Sequence, residues 1–323
     1  MTNQKGQDAA ASLAAPVRAS EQPVSKGKTT GGTGFGRWRI FWFTILGLLI
    51  CFILPLKFMV SFALKSDLYS YTLLMPFVSI YLVRQSREKL PSPGAASIPW
   101  GALFLLLGAG MMTGYCLLLR SATEFPPEDY LFWAMGALYF FILAAAAFCL
   151  GSGILRAACF PLAMLIFIVP LPSSAIDAID VGLQHSSAWT AWAMFKLSGT
   201  PVHANGLKLA LSVITLRVAP ECSGIHSSIV LLITSLVAGQ LFLRTTWKHA
   251  LLALAVVPLG ILRNGFRIYT LGELCVHVSP KMIDSWIHHE GGPIFFGLSL
   301  IPLFLLLMYL RKTESPAVRP VKR

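Results

Sequence analysis

Charge is the scarcest commodity in this chain. Only 12% of its 323 residues are charged, against 55% hydrophobic. A soluble domain carries about 25% charged residues, so a water-facing surface around a single core is excluded. Alternating apolar and polar residues are also missing. The apolar runs are continuous, which excludes a transmembrane β-barrel. No CxxC pair and no Cys/His ligand spacing occurs among the six cysteines, so no metal site is expected. No organic cofactor is indicated either. No apolar core follows the first basic residues, so the amino terminus does not resemble a secretory signal peptide. Internal repeats and charges near the centres of the apolar runs, which a transporter would need, are not evident.

What remains is a polytopic all-α membrane protein. Eight candidate spans are expected, at about 38–56, 68–83, 100–119, 130–150, 154–171, 224–243, 249–267 and 293–310. Pro55, Pro76, Pro161, Pro258 and Pro302 fall within or at the ends of spans, where membrane helices tolerate proline better than soluble ones do. Residues 1–36 are rich in Ala, Ser, Gly, Lys, Gln and Thr and read as a disordered tail. Residues 37–312 form the membrane domain and 313–323 a basic tail.

The formal net charge of +12 is read as topology rather than as a nucleic-acid footprint. With the amino terminus in the cytoplasm, 17 of the 26 basic residues fall on the cytoplasmic side. They include Arg37 and Arg39, Arg84 to Lys89, Arg244 and Lys248, and the tail from Arg311 to Arg323. Both termini are then cytoplasmic, the number of spans is even, and 172–223 and 268–292 lie outside. In the first of these loops, Ala175 to Leu197 has apolar residues at helical spacing with Trp189 and Trp192, as in a helix lying in the interface. Val202 to Val218 is rich in β-branched residues and suggests a short hairpin before the sixth span.

Three polar groups stand at that outer face. Cys222 lies in Pro220-Glu221-Cys222-Ser223-Gly224-Ile225, just before the sixth span. A helix start and a neighbouring cation both favour the thiolate, the form that attacks a carbonyl. The alternatives are a structural cap cysteine or a disulfide to Cys275. Arg267 closes the seventh span in Asn264-Gly265-Phe266-Arg267-Ile268. It can steady a tetrahedral oxyanion, or snorkel to headgroup phosphates, a role open to Arg263 as well. His288, in His288-His289-Glu290-Gly291-Gly292, can relay a proton between thiol and leaving amine. His289 competes on spacing, and His226, one turn inside Cys222, is another rival base.

Pro-Glu-Cys-Ser-Gly-Ile at 220–225, Asn264-x-x-Arg267-Ile268, and His288-x-x-Gly291-Gly292 before a last apolar span resemble the exosortase/archaeosortase family over roughly 40–310. The family spacing to the glycine pair assigns the histidine role to His288. The resemblance implies a membrane cysteine protease or transpeptidase with Cys222, Arg267 and His288 as its catalytic residues. It implies substrates that are exported proteins with a carboxyl-terminal sorting signal: a Pro-Glu-Pro-like motif, one transmembrane helix and a basic cluster. It further implies cleavage through a cysteine thioester, with hydrolysis or transfer of the new end to an unidentified cell-envelope acceptor left open. The setting implied is the inner membrane of an exopolysaccharide-making bacterium, with the site facing the periplasm. The competing classes are a non-catalytic subunit of a polysaccharide export machine, a transporter, and a protease that only hydrolyses.

Overall fold

The computed structural model describes residues 31–218, 224–286 and 291–314. Cys222, His288 and His289 lie outside the described residues, as do most of both tails. The described part is overwhelmingly helical, and it is a multi-pass membrane architecture. Five helices are long and apolar enough to cross a bilayer: α4 (Ile98–Arg120), α5 (Pro127–Leu150), α9 (Ile225–Phe242), α10 (Thr246–His277) and α11 (Gly292–Lys312). Two bent pairs raise the count to at most seven. One is α1 (Gly31–Cys51) with α2 (Ile53–Lys65), bent by 70°. The other is the segment Cys159–Ile168, formed by α7 (Cys159–Met164) and a 3-10 turn, with α8 (Ser173–Ser198), bent by 93°.

The expected count of about eight is thus not confirmed among the described residues, where five to seven candidates are found. Proline accounts for two of the breaks, because its ring clashes with the carbonyl four residues earlier. Pro55 stands four residues after Cys51, where α1 stops. Pro161 stands four residues after Ala157, where α6 (Ser152–Ala157) stops. The expected span 68–83 is a 3-10 segment, Asp67–Leu73, followed by α3 (Met75–Gln85), whose 11 residues reach only about 16 Å at 1.5 Å per residue. Helix α1 also begins inside the segment expected as tail.

Helix α5 is the hub. Its Leu131, Ala134, Met135, Ala137 and Leu138 pack with Phe52, Met59 and Ala63 of the bent pair. Gly101, Gly108 and Gly114 of α4 admit the rings of Phe148, Phe141 and Trp133, small-residue packing of the kind membrane helices use. The second bend is anchored to α5 as well. The Asp129 carboxylate accepts from the Ser173 N–H at 2.8 Å and its hydroxyl at 2.9 Å, and the Tyr69 hydroxyl donates to Leu171 O.

Helix α10 has 32 residues, about 48 Å of length against a hydrocarbon core of about 30 Å. It does not end near Arg267 but runs on to His277. A small cap encloses this overrun. Helix α8 packs along it, and a three-stranded antiparallel meander covers both: β1 (Val202–Asn205), β2 (Lys208–Leu211) and β3 (Thr215–Arg217). The expected hairpin is thus present with one more strand, and Gly206 at φ +60° starts the two-residue turn of β1–β2. Phe195, Leu209, Leu211, Leu216 and Ile268 form the cap's core.

At the other end, α9, α10 and α11 are latched. Buried Lys248 donates from Nζ to Leu310 O at 2.9 Å and Thr313 Oγ1 at 3.1 Å. Glu314 accepts from the Arg244 and Thr245 N–H groups, and the Arg244 N–H holds its carboxyl below the usual range. Lys248→Met strands the Leu310 carbonyl and is expected to cost about 1–3 kcal/mol, read as a lower thermal midpoint in detergent.

Candidate active site

The site is built where α9 starts against α10. Gly224 precedes α9 with φ +75°, a left-handed backbone that favours glycine. Space is tight too, since a Cβ there would stand 2.9 Å from Arg263 Nη2 and 3.3 Å from Asn264 Oδ1, and the arginine tip would have to shift. The Gly224 carbonyl is a crowded acceptor. It takes the Ser228 N–H at 3.0 Å, the Ser227 and Ser228 hydroxyls at 3.1 and 2.9 Å, and Arg263 Nη2 at 3.1 Å. Arg263 Nη2 also lies 3.3 Å from Ser228 Oγ.

Gly260, Arg263, Asn264 and Arg267 follow the i, i+3, i+4, i+7 spacing that puts them on one face of α10. Gly260 lets Ser228 approach, since a Cβ would be 2.9 Å from its hydroxyl. Asn264 is almost wholly buried and donates from Nδ2 to Ser187 Oγ on α8 at 3.0 Å. Gly265 admits Thr190 of α8. In Asn264-Gly265-Phe266-Arg267-Ile268, then, the first two residues dock α8, and Ile268 enters the cap core. Arg267 is half-buried, one turn beyond Arg263. Phe266 packs edge-on against Phe295 in the first turn of α11, with ring centroids 6.1 Å apart.

The described flanks of the three sequence motifs therefore converge on one stretch of α10. Gly224 meets Arg263, and the start of α11, just after the histidine motif, meets Phe266. Arg267 lies between these contacts in sequence. Cys222 and His288 are themselves outside the described residues. Arg263, read from sequence as an interfacial alternative to Arg267, is instead buried and structural at the Gly224 turn. A second arginine four residues from the first, within an apolar helix, was the available signal.

Four buried polar atoms have no partner among the described residues: Asp180 Oδ1, His226 Nδ1, Arg263 Nη1 and Ser285 Oγ. Two of these, on His226 and Arg263, belong to residues of this junction. Three other histidines bond locally: His185 meets Val181 O, His249 meets Leu243 O, and His277 pairs with Glu273 at 3.0 Å. Cys275 is wholly buried, with its thiol 3.9 Å from Pro280 O. Beside Ser228, a cavity of about 520 Å³ opens between α8, α9 and α10, walled by Leu183, Ile225, Ile229, Leu232, Val256 and Val257.

Gly224→Ala combines a strained backbone with a steric clash. It is expected to cost about 1–3 kcal/mol at this turn and to disable the site while the bundle still assembles. The check is activity set against helical content by circular dichroism.

A model of the transmembrane exosortase family matches residues 60–305 of the chain. No curated protein matches it, and no solved structure does.

Proposed function

The chain belongs to the transmembrane exosortase family, and from that premise we propose that it is a cysteine peptidase or transpeptidase acting on the sorting signals of exported proteins. The observation that carries this proposal is the convergence on α10. The turn two residues after Cys222 is bonded to Arg263, and the start of α11 touches Phe266, the neighbour of Arg267. Gly224, two residues along the chain from Cys222, is the part of that motif bonded to the arginine face.

The chemistry follows from residue types. The Cys222 thiolate attacks a substrate carbonyl and forms an S–C bond. Arg267 meets the oxyanion of the tetrahedral intermediate. The C–N bond breaks as His288 gives its proton to the departing amine. Water, or an acceptor nucleophile, then releases the acyl group from sulfur. The apolar cavity beside Ser228 suits the membrane-embedded residues that follow a sorting motif. The site faces the periplasm and both termini the cytoplasm, as the basic residues dictate.

One observation favours a second base. His226 Nδ1 is buried without a partner among the described residues, on the first turn after Gly224. His288→Ala and His226→Ala separate the two, and on the favoured assignment only the former stops processing.

The test is co-expression with an exported protein carrying the tripartite signal, in a variant whose sole cysteine is Cys222. A mobility shift should appear and should vanish on periplasmic thiol alkylation. Mass analysis of the new end distinguishes hydrolysis from transfer. Processing that survives complete alkylation moves the assignment to a non-catalytic export subunit.

A further inference from the structure

The meander leaves one edge open beside a hollow. Its strand order is β1-β2-β3, so β1 is an edge. Hydrogen bonding alternates along an antiparallel strand. The bonds from Leu211 N–H to Ile214 O and from Val218 N–H to Leu207 O turn the backbone groups of Leu207, Leu209 and Leu211 toward β3. Lys208 and Ala210 therefore bond to their β1 partners, Asn205 and His203. The N–H and C=O groups of Val202 and Ala204 point out of the sheet, with no partner among the described residues. Ala204 is exposed. Beside this edge lies an open hollow of about 770 Å³, lined by Ala204 and Leu209 of the sheet, His185, Trp189 and Trp192 of α8, and Ile261 of α10. Trp189 is left 67% exposed there. Native sheets normally shield such an edge, and no described segment bonds to this one.

We infer that β1 is a docking edge, on which an extended extracytoplasmic segment of the substrate pairs with Val202 and Ala204 as a fourth strand. This rests on the peptidase assignment and adds a mode of substrate capture to it. The edge offers two donors and two acceptors in strand register. An extended peptide backbone matches them, whereas a helix has its own groups already bonded. A strand added beyond β1 lies about 4.8 Å from it and turns every second side chain inward. Those side chains enter the hollow over Trp189 and Trp192, and apolar ones suit its aromatic wall. A second copy's β1 would bring only Val202 and Ala204 to that side, too little to fill the space. The hollow is also continuous with the candidate site. Its wall includes Thr190, packed on Gly265 of α10, and Ile261, two residues before Arg263.

Disulfide trapping tests the pairing. His185→Cys is placed on the wall of the hollow in a Cys222→Ala background, with the same background lacking it as control. Single cysteines are then walked along the extracytoplasmic segment of a co-expressed, signal-bearing substrate. Adducts are expected at alternate substrate positions, the two-residue period of a strand. Ala204→Pro removes the outward donor and leaves the ladder intact, since that N–H takes no part in it. It should weaken the adducts by about 10-fold, the order that one or two lost hydrogen bonds support. Ala204→Val keeps the donor and should stay within about 3-fold. With Cys222 present and His185 unchanged, Ala204→Pro should raise KM by about 10-fold and leave kcat within about 3-fold, a split that a general loss of folding does not give. Adducts at every position or at none overturn the inference, with the edge itself unaltered. So do adducts that Ala204→Pro leaves unchanged, or a covalent dimer through His185→Cys without substrate, which gives the edge to a second copy. Failure of the peptidase assignment shows separately, as processing that ignores alkylation of Cys222, because the trapping needs no chemistry at that residue.

Discussion

A Cys222→Ala protein that inserts at wild-type levels is expected to leave a signal-bearing substrate wholly unprocessed. Removing the nucleophile of a covalent peptidase costs on the order of 10⁴-fold or more, which lies below detection in a mobility assay. Cys222→Ser should fail almost as completely. A serine hydroxyl is not ionised at neutral pH, and a cation able to assist a thiolate cannot lower a hydroxyl far enough. The fold should be indifferent to both changes. The turn is held from its other side, by Gly224 O accepting from Arg263 and from the two serine hydroxyls. Normal abundance with lost processing therefore separates a catalytic cysteine from a structural one. Retained processing in either variant ends the thioester mechanism.

The spans that could be read from sequence were those governed by hydropathy alone. The expected 100–119, 130–150, 224–243 and 293–310 correspond to α4, α5, α9 and α11 to within a few residues. The others depend on where a proline sits relative to the carbonyl four residues before it. An apolar count does not register that a ring at Pro55 or Pro161 ends a helix in mid-run. The overrun of α10 was hidden for a different reason. Beyond Arg267 the sequence turns polar, but Ile268, Leu271, Gly272 and Cys275 still form a buried face. What buries it is α8 and the meander, contacts between segments far apart in sequence. The site divides the same way. The turn at Gly224 was legible because local backbone and residue type define it. Arg263 was not, because a snorkelling arginine and a buried one are the same letter. Its burial and its bond to the Gly224 carbonyl at the start of α9, a contact distant in sequence, decide which it is.

Arg267→Ala is expected to lower kcat by about 10²–10³-fold, the loss that follows removal of one oxyanion donor. The cost should fall mainly on kcat, since the interaction is made with charge that develops only in the transition state. Arg267→Lys should recover part of the rate, because it restores a point charge without the planar fork. The pH profile distinguishes this role from headgroup anchoring. A cation near Cys222 favours the thiolate and so lowers the thiol pKa. Taking the cation away raises that pKa, so the thiolate fraction at neutral pH falls. The acidic limb of the rate profile should therefore move to higher pH in Arg267→Ala, with part of the lost activity returning as pH rises. An arginine that merely snorkels moves neither kcat nor that limb, and its loss shows in insertion or abundance instead. Arg267 sits half-buried, one turn from a guanidinium already committed to Gly224, with Phe266 packed on the first turn of α11. On the proposed mechanism, loss of Arg267 therefore shows in kcat and in the acidic limb, at normal abundance.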